Sequence, residues 1–258
     1  MTLFDTHVHF SEKDPEAFYE RSKAAGVDFL LIVGANVASS FEARNFAEQI
    51  SKAWFSPGIH PHDAGKEDFS LLHELISHRK SVAIGETGLD YYYEFSERIK
   101  QKNLFEKSLS AALERKLPAV VHCRDKDPSG QAYSDCFEYL NDFSSAGGRF
   151  VMHCFTGDNS WLEKFLSIGA YISFGGIITF GKGENVRELL RRTPLERILF
   201  ETDAPYLAPN PLRGKPNHPE YLPITVKKAA EVLSCELEVL AEKTVDNSFE
   251  LFSKAERK

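Results

Sequence analysis

The chain has 258 residues, of which 42% are hydrophobic and 27% are charged. This is the composition of an ordinary globular protein, and it excludes fibrous, disordered and disulfide-scaffold classes. The 38 acidic residues outnumber the 31 basic ones, which gives a formal charge of −7. A broad basic face for a polyanion is therefore not expected, and attraction to a nucleic acid would have to be local, for example from bound metal ions.

The cysteine pattern and the N-terminal residues bear on the cellular compartment. The four cysteines, Cys123, Cys136, Cys154 and Cys235, form no CxxC pair, which favours reduced thiols in a cytoplasmic protein. The N-terminal residues lack the basic and apolar regions of a signal peptide. The longest apolar stretch, around Phe29–Val33, is too short to span a bilayer. We expect a cytoplasmic protein with no membrane contact and no obligate protein partner.

Short apolar runs alternate with amphipathic stretches of helical period along the whole chain. The eight runs are Leu3–His9, Phe29–Val33, Trp54–His60, Ser81–Glu86, Ala119–His122, Phe150–His153, Ala170–Phe174 and Ile198–Asp203. Strands that alternate with helices predict a parallel sheet, and eight units in this length predict an α/β fold, a closed (β/α)8 TIM barrel. The alternative is an open doubly wound sheet. Because no linker-like segment divides the sequence, residues 1–258 are expected to form a single domain.

Local signals mark the ends of the predicted helices. Asp14-Pro15 predicts an N-cap followed by proline at the first helical position, and Gly26 predicts the end of that helix. Ser39-x-x-Glu42 is a capping-box pattern, and Ser96 is expected to cap a long helix. Further helices are predicted over Asp158–Gly169, Pro219–Ser234 and Glu236–Phe252.

Histidine or carboxylate residues stand at the ends of most of these runs. In a barrel the carboxyl ends of the strands meet at one mouth, so these side chains are expected to converge there. His7 and His9 point to the same face of a strand, where two imidazoles can bind one cation; the alternative is two core histidines. The carboxylate of Glu86 can bridge two cations, or else form an ion pair at the rim. The candidate ligands are His7, His9, Glu86, His122, His153 and Asp203.

Residues beside the candidate ligands are predicted to support them. Cys123 and Cys154 follow histidines, so alternation turns their thiols toward the helix layer as small buried apolar groups. Glu201 lies two residues before Asp203 and is expected to orient a ligand. Four histidines, one glutamate and one aspartate suffice for two divalent ions about 3.5–4 Å apart. The metal is left open among magnesium, manganese and zinc, since imidazole suits manganese and zinc whereas magnesium prefers oxygen.

Seven short segments follow one another in a fixed order along nearly the whole chain. They are Phe4-Asp-Thr-His-Val-His9, Gly58-Ile-His-Pro-His62, Ile84-Gly-Glu-Thr-Gly-Leu-Asp90, Val121-His-Cys-Arg-Asp125, Met152-His-Cys-Phe-Thr-Gly157, Glu201-Thr-Asp-Ala-Pro-Tyr-Leu207 and Arg213-Gly-Lys215. In this order they resemble the TatD family of metal-dependent deoxyribonucleases, a branch of the amidohydrolase-like TIM-barrel hydrolases. Any one segment alone would be a weak signal, whereas the ordered set is specific.

The resemblance implies an activity and roles for individual residues. It implies hydrolysis of DNA phosphodiesters, typically from the 3′ end of single strands, by attack of a metal-bound hydroxide with Asp203 as general base. It places His60 or His62 near the scissile phosphate. The ligands that it assigns to one metal ion are His7, His9, Glu86 and Asp203, and those that it assigns to the other are Glu86, His122 and His153.

Two alternative functions are compatible with parts of this pattern. A D-aminoacyl-tRNA deacylase, or another metal-dependent ester or amide hydrolase, would use the same ligand set. The products distinguish the two activities, since one releases nucleotides and the other frees an amino acid from intact tRNA. A non-catalytic metal-binding scaffold is the alternative from another class, and the complete ligand set argues against it.

Several residues outside the ligand set are candidates for substrate contact. Arg124 either contacts a phosphate or forms a structural ion pair. Arg213 and Lys215 are candidates for contacts to the backbone of a strand. Tyr91-Tyr92-Tyr93 either provides a stacking platform for bases or packs into the protein. The segment Lys126–Ser134 departs from the family's pattern and indicates a longer loop, which bears on the shape of the substrate.

Overall fold

The computed structural model describes residues 1–257, and eight parallel β-strands lie within them. They are β1 (Leu3–Val8), β2 (Val27–Val33), β3 (Ala53–Ser56), β4 (Ile84–Asp90), β5 (Ala119–Arg124), β6 (Phe150–Met152), β7 (Tyr171–Phe174) and β8 (Ile198–Phe200). Each predicted apolar run contains part of one strand. The ends differ in places: β4 continues past Glu86 to Asp90 because its ladder with β5 continues that far, whereas β3 already ends at Ser56.

The strands are connected by helices on the outside of the barrel. Within residues 1–257 these are α1 (Pro15–Ala24), α2 (Val37–Gln49), α3 (His73–Ile76), α4 (Arg98–Arg115), α5 (Gln131–Ser145), α6 (Asn159–Ser167), α7 (Glu184–Arg192), α8 (Leu222–Leu233) and α9 (Leu237–Leu251). Between β3 and β4 the chain forms only 3-10 turns and the one-turn helix α3. No helix within residues 1–257 is both long enough and apolar enough to cross a membrane.

The strands form a ring in chain order. β1 to β3 form one parallel ladder and β4 to β8 form another. The two ladders meet at two isolated parallel bridges, Phe55 with Ser81 and Val8 with Ala204. At the second junction the amide of Asp203 also donates a hydrogen bond to the carbonyl of His7 at 3.0 Å. The prediction of a TIM-barrel-like α/β fold is therefore confirmed, and the open doubly wound alternative is wrong.

The interior of the barrel is apolar at the amino end of the strands. Its large side chains include Phe4, Phe29 and Trp54, from β1, β2 and β3. Helix α9 closes this end, since the ring centroid of Phe249 lies 5.3 Å from that of Phe4 and 4.9 Å from that of Phe29. A second apolar layer packs the helices against the outside of the strands. Polar side chains are thereby concentrated at the opposite, carboxyl end.

Strand β1 contains an irregularity that bears on the candidate metal ligands. Phe4 and Val8 would share a face in a regular strand, but Phe4 packs inside the barrel whereas Val8 packs in the outer layer. The register with β2 shifts between Asp5 and Val8. Strict alternation from Phe4 would turn His7 outward, so this shift allows His7 to face the mouth of the barrel.

The helix starts agree with the sequence signals in part. Asp14 is the N-cap of α1, as predicted. Ser39 is not the N-cap of α2: Asn36 takes that position, and Asn36 and Ser39 form the two halves of a capping box. Ser96 does not cap α4, which begins one residue later than expected. Its hydroxyl donates instead to the carbonyl of His62 at 2.8 Å, so that this serine connects two loops at the mouth.

Candidate metal centre and active site

The six side chains that the sequence predicted as metal ligands meet at the carboxyl end of the barrel. They come from five strands or the residues just after them: His7 and His9, Glu86, His122, His153 and Asp203. The Nε2 atoms of His7 and His9 are 3.1 Å apart. Each of these atoms lies 3.4 Å from Glu86 Oε2. Histidines from the first strand and a carboxylate from the fourth thus share one small volume.

Glu86 lies at the centre of this cluster. Its Oε2 atom faces His7 and His9, as described above. Its Oε1 atom faces a different group, at 2.9 Å from His122 Nδ1, 3.4 Å from His60 Nε2 and 3.6 Å from His153 Nε2. Each oxygen of this carboxylate therefore faces imidazoles of its own, His7 and His9 on one side and His60, His122 and His153 on the other.

Asp203 completes the cluster from the opposite side of the ring. Its Oδ1 atom lies 3.6 Å from His9 Nε2 and 4.0 Å from His7 Nε2. Its backbone has a φ of +56°, in the left-handed region that aspartate tolerates better than most residues. Its side chain is 13% exposed, against 4% for Glu86. Asp203 is therefore the carboxylate in the cluster that solvent or a substrate reaches more easily.

The spacing of these atoms fits divalent metal ions. Two ligand atoms that are each about 2.1 Å from a shared ion stand about 3.0–3.4 Å apart at tetrahedral or octahedral angles. The His7–His9 and His7–Glu86 separations lie in this range. In the described residues three groups have all their ligand atoms within 4.8 Å of one another; they are His7, His9 and Glu86, then His7, His153 and Asp203, then His60, Glu86 and His122. The residues present therefore suit a metal centre.

The grouping differs in two respects from the assignment that the family resemblance implies. His153 forms a group with His7 and Asp203, with its ring stacked on that of His7 at 3.6 Å between centroids, although its Nε2 atom also lies 3.6 Å from Glu86 Oε1. His60, which the resemblance places near the phosphate, lies instead beside His122 and Glu86. His60 is thus placed among the candidate ligands by its geometry.

Burial and neighbouring charges set the protonation of the cluster. Burial, with His153 nearby, lowers the pKa of His7 to about 3. Burial would raise the pKa of Glu86, but the histidines around it hold that pKa well below its usual range. Burial raises the pKa of Asp203 to about 6 despite its histidine neighbours. An anionic Glu86 and a neutral His7 are the forms in which these side chains donate electron pairs to a metal.

Carboxylates behind the cluster hold the imidazoles in place. Glu201 Oε1 lies 2.9 Å from His153 Nδ1 and accepts a hydrogen bond of 2.7 Å from the amide of Cys154. Burial would lower the pKa of His153, but Glu201 and Glu86 raise it to about 10. The sequence predicted that Glu201 orients a ligand, and its carboxylate lies beside the nitrogen of His153 that faces away from Glu86.

Two further carboxylates were missed by the sequence analysis. Asp90 Oδ2 lies 2.9 Å from His62 Nε2 and 3.0 Å from His122 Nε2. Asp5 is fully buried and accepts hydrogen bonds from the amide and hydroxyl of Thr202, at 2.9 Å and 2.6 Å. Both lie in segments quoted for the family resemblance, where the signal was available: an acidic residue within a buried apolar strand needs a partner.

Glycine is required where β4 passes close to β5. A Cβ atom on Gly88 would lie 2.0 Å from the carbonyl oxygen of His122, and Gly88 has a φ of +137°. A Cβ on Gly85 would lie 2.4 Å from the carbonyl oxygen of Val120, at a φ of +144°. The two glycines let the strand that carries Glu86 approach the strand that carries His122 closely enough for their side chains to meet.

His62 and Arg124, the other residues predicted to bind substrate, lie at the edge of the cluster. His62 contacts Asp90, as described, and 27% of its side chain is exposed. The guanidinium of Arg124 lies over the rings of Tyr92 and Tyr93, at 4.3 Å and 4.9 Å from their centroids. Tyr91, by contrast, is buried and donates its hydroxyl to Asp135 at 2.7 Å. The stacking hypothesis for the three tyrosines is therefore wrong for Tyr91.

Comparisons with known proteins agree with this fold and site. A sequence profile of the family described as TatD related DNase matches residues 4–253. The chain is 35% identical over 257 residues to the uncharacterized metal-dependent hydrolase YabD of Bacillus subtilis, across 97% of this chain and 98% of the relative. It is 35% identical over 263 residues to a protein of Pectobacterium carotovorum named 3′-5′ ssDNA/RNA exonuclease TatD, across 97% and 99% of the two chains.

Solved structures show the same architecture. The crystal structure of YjjV, a TatD homolog from Escherichia coli, superposes with a TM-score of 0.89 at 26% identity and covers 97% of this chain and 98% of that one. A TatD family hydrolase from Entamoeba histolytica superposes with a TM-score of 0.81 at 20% identity, over 97% and 98% of the chains, and so bears on the fold alone. Since both the profile and the relatives span nearly the whole sequence, the chain belongs to the TatD-related DNase family of metal-dependent hydrolases.

Proposed function

We propose that this protein is a two-metal 3′–5′ exonuclease that hydrolyses the phosphodiester bonds of single-stranded DNA. The observation that carries the proposal is the position of Glu86, whose two oxygens face two separate groups of imidazoles. Such a carboxylate suits two divalent ions on either side of one phosphate. The name of the Pectobacterium relative supports the choice of substrate and of polarity.

The ligand roles follow from the positions of the side chains. Two divalent ions, with magnesium, manganese and zinc as candidates, would supply Lewis-acid polarisation of a phosphodiester and would lower the pKa of a water molecule. The proposed ligands of one ion are His7, His9, Glu86 and Asp203, and those of the other are Glu86, His122 and His153. His60 is a further candidate for the second group because its Nε2 atom lies 3.4 Å from Glu86 Oε1.

Asp203 is the proposed general base. It is the more exposed carboxylate of the cluster, and its Oδ1 atom points toward the imidazoles of His7 and His9. A water molecule that enters the mouth can therefore reach this oxygen and transfer a proton to it. Glu86 is nearly inaccessible and is engaged on both oxygens, which leaves Asp203 as the carboxylate free to take up the proton.

His62 and Arg124 are the proposed contacts to the phosphates that flank the scissile bond. Both lie at the rim of the cluster, and Asp90 fixes the orientation of His62. Together with bound metal ions, these two groups would attract a polyanion locally at this opening, although the chain has a net charge of −7.

The proposal is tested by hydrolysis of single-stranded DNA labelled at its 5′ end. Metal is removed from the protein with a chelator, and Mg²⁺, Mn²⁺ or Zn²⁺ is then added back. We expect a ladder that shortens from the 3′ end, which requires the metal and falls by at least about 100-fold in Asp203→Asn. Asp127→Asn is the matched control, because Asp127 is an exposed aspartate on the loop between β5 and α5.

Three results would contradict the proposal in whole or in part. Intact DNA under every metal, from protein whose fold is unchanged by circular dichroism, would exclude the nuclease activity. Near-normal hydrolysis by Asp203→Asn would leave the nuclease standing and exclude Asp203 as its base. Products that shorten from the 5′ end, seen with a 3′ label, would exclude the proposed polarity.

A further inference from the structure

Exposed aromatic side chains are concentrated at one end of the barrel. In residues 1–257 the large exposed aromatic residues are Tyr92, Tyr93, Phe95 and Tyr206. The first three lie in the loop between β4 and α4, and Tyr206 lies in the loop after β8. Both loops leave the carboxyl ends of strands, where the metal centre is. The position of these rings is therefore tied to the site and is not a general property of the surface.

Tyr92, Tyr93 and Phe95 form a continuous surface, which we term the aromatic shelf. The rings of Tyr93 and Phe95 are stacked, with centroids 5.2 Å apart and planes inclined by 17°. Tyr92 packs edge-on against Tyr93 at 4.7 Å. Phe95 is the most exposed member, at 61%. Its ring is thus available to continue the stack with another flat group.

The shelf is connected directly to the candidate ligands. The ring of His62 meets Phe95 edge-on at 4.8 Å between centroids. On its other side His62 contacts Asp90 Oδ2, which also holds His122. The Oδ1 atom of Asp90 accepts hydrogen bonds from the amides of Tyr92 and Tyr93, at 3.0 Å and 2.9 Å. One buried carboxylate therefore fixes both an imidazole of the metal centre and the backbone of the shelf.

The shelf also carries a positive charge. The guanidinium of Arg124 lies over Tyr92 and Tyr93, so that a cation stands beside the exposed rings. An exposed apolar surface with an adjacent guanidinium matches a ligand that alternates flat rings with negative charges. A single strand of nucleic acid has this alternation, whereas a duplex buries the faces of its bases.

We propose that the aromatic shelf is a nucleobase-binding subsite, on which an unpaired base next to the scissile phosphate stacks against Phe95 while Arg124 meets an adjacent phosphate. The proposal rests on the nuclease function proposed above and specifies its substrate: a strand whose bases near the cut are unpaired. Stacking needs the face of a base and no particular edge, so the subsite discriminates against paired strands and is tolerant of sequence.

The test measures binding separately from hydrolysis. Single-stranded DNA that carries 2-aminopurine at one defined position from the 3′ end is titrated into Asp203→Asn protein with Mg²⁺ present. Stacking quenches the fluorescence of this base. We expect strong quenching at one position near the 3′ end, and we expect Phe95→Ala to abolish that quenching and to raise the Kd about 10-fold. Phe95→Trp should restore both. Ile99→Ala is the matched control, because Ile99 has the same exposure of 61% and stands four residues away.

The outcomes separate the subsite from the nuclease. The aromatic shelf is not a base-binding site if Phe95→Ala leaves both the quenching and the affinity unchanged. The same conclusion follows if no position of 2-aminopurine is quenched. An equal loss in Ile99→Ala also overturns it, because the effect would then be a general one of loop stability. Failure of the wild-type protein to hydrolyse any nucleic acid overturns the proposed function, whatever the fluorescence shows.

Discussion

Asp90 shows how one buried side chain organises several others. Its Oδ2 atom lies within 3.0 Å of two imidazole nitrogens, and its Oδ1 atom accepts two backbone amides. Burial alone would raise the pKa of this carboxyl, but the two histidines and the amides lower it far below its usual range. Asp90 is therefore anionic, and it fixes which nitrogen of His122 is left to face Glu86.

The change Asp90→Asn is expected to weaken metal binding by about 10–100-fold, since the amide is neutral and cannot accept from both histidines with the same strength. The measurement is calorimetric titration of chelator-stripped protein with Zn²⁺ or Mn²⁺. Asp135→Asn is the control, because Asp135 is also a buried aspartate but bonds to Tyr91, away from the ligands. Equal metal affinity in Asp90→Asn and wild type would mean that Asp90 does not position a ligand.

At the scale of single residues, the sequence identified candidate metal ligands but missed two of the buried carboxylates around them, Asp5 and Asp90. His7 and His9 were readable because two-residue spacing puts both on one face of a strand. The role of Asp5 could not be predicted from the sequence, because its partner Thr202 lies 197 positions away and contacts it only when the ring of strands closes. His60 was placed near the phosphate, and no local pattern indicated its proximity to Glu86.

Elements are joined by polar groups as well as by apolar packing, and Lys80 is a clear example. It lies between α3 and β4 and is almost fully buried. Its Nζ atom donates to the carbonyls of Ile50 at 2.6 Å and Ala53 at 3.1 Å, and also to that of Ala47. These carbonyls belong to the end of α2 and the start of β3, so that one ammonium satisfies the chain where it turns.

Replacement of this lysine by an apolar side chain of similar length, Lys80→Met, should lower the free energy of unfolding by about 2–4 kcal/mol, because several buried carbonyls lose their donor. Urea denaturation followed by circular dichroism measures the change. Lys52→Met serves as the comparison, since the ammonium of Lys52 makes a partly exposed ion pair with Asp28 and lies over the ring of Phe29. A loss that is no larger in Lys80→Met than in Lys52→Met would refute this role.

At the scale of elements, the strands were predicted better than the helix boundaries. Eight apolar runs gave eight strands because burial on both faces produces a strong, continuous signal. The start of α2 was misplaced by three residues, since Asn36 and Ser39 are both competent capping residues and the sequence alone does not rank them. The irregularity in β1 has no sequence signature, because it arises from pairing with β2.

The whole molecule is a ring whose two ladders contribute different ligands. β1 to β3 and their loops carry His7, His9 and His60, whereas β4 to β8 carry Glu86, His122, His153 and Asp203. Besides the candidate ligands, two isolated bridges connect the ladders. Hydrogen bonds also cross between them, such as those from Thr202 to Asp5 and from the amide of Glu86 to the carbonyl of Gly34. An ion that binds both sets of ligands therefore stabilises the closed ring as well as the site.

Removal of metal is accordingly expected to lower the melting temperature. An ion present at 100 times its Kd stabilises the folded state by about 2.7 kcal/mol, which for a chain of this size corresponds to a rise of about 5–10 °C. Calorimetry with a chelator and then with excess Mn²⁺ or Zn²⁺ measures the shift. It should be reduced in Glu86→Gln and retained in Glu97→Gln, whose side chain is exposed. A melting temperature that ignores the chelator in wild type would contradict this view of the ring.

Because the ring closes between β1 and β8, it can close only after both strands have been synthesised. The chain is made in the direction from N-terminus to C-terminus, so His7 and His9 leave the ribosome nearly two hundred positions before Asp203. Until β8 has emerged, the histidine pair lacks Asp203 and also the backbone hydrogen bonds that join His7 and His9 to Asp203 and Ala204. A nascent chain therefore lacks the complete set of candidate ligands until β8 has emerged, and hydrolytic activity can begin only once the last strand of the barrel is in place.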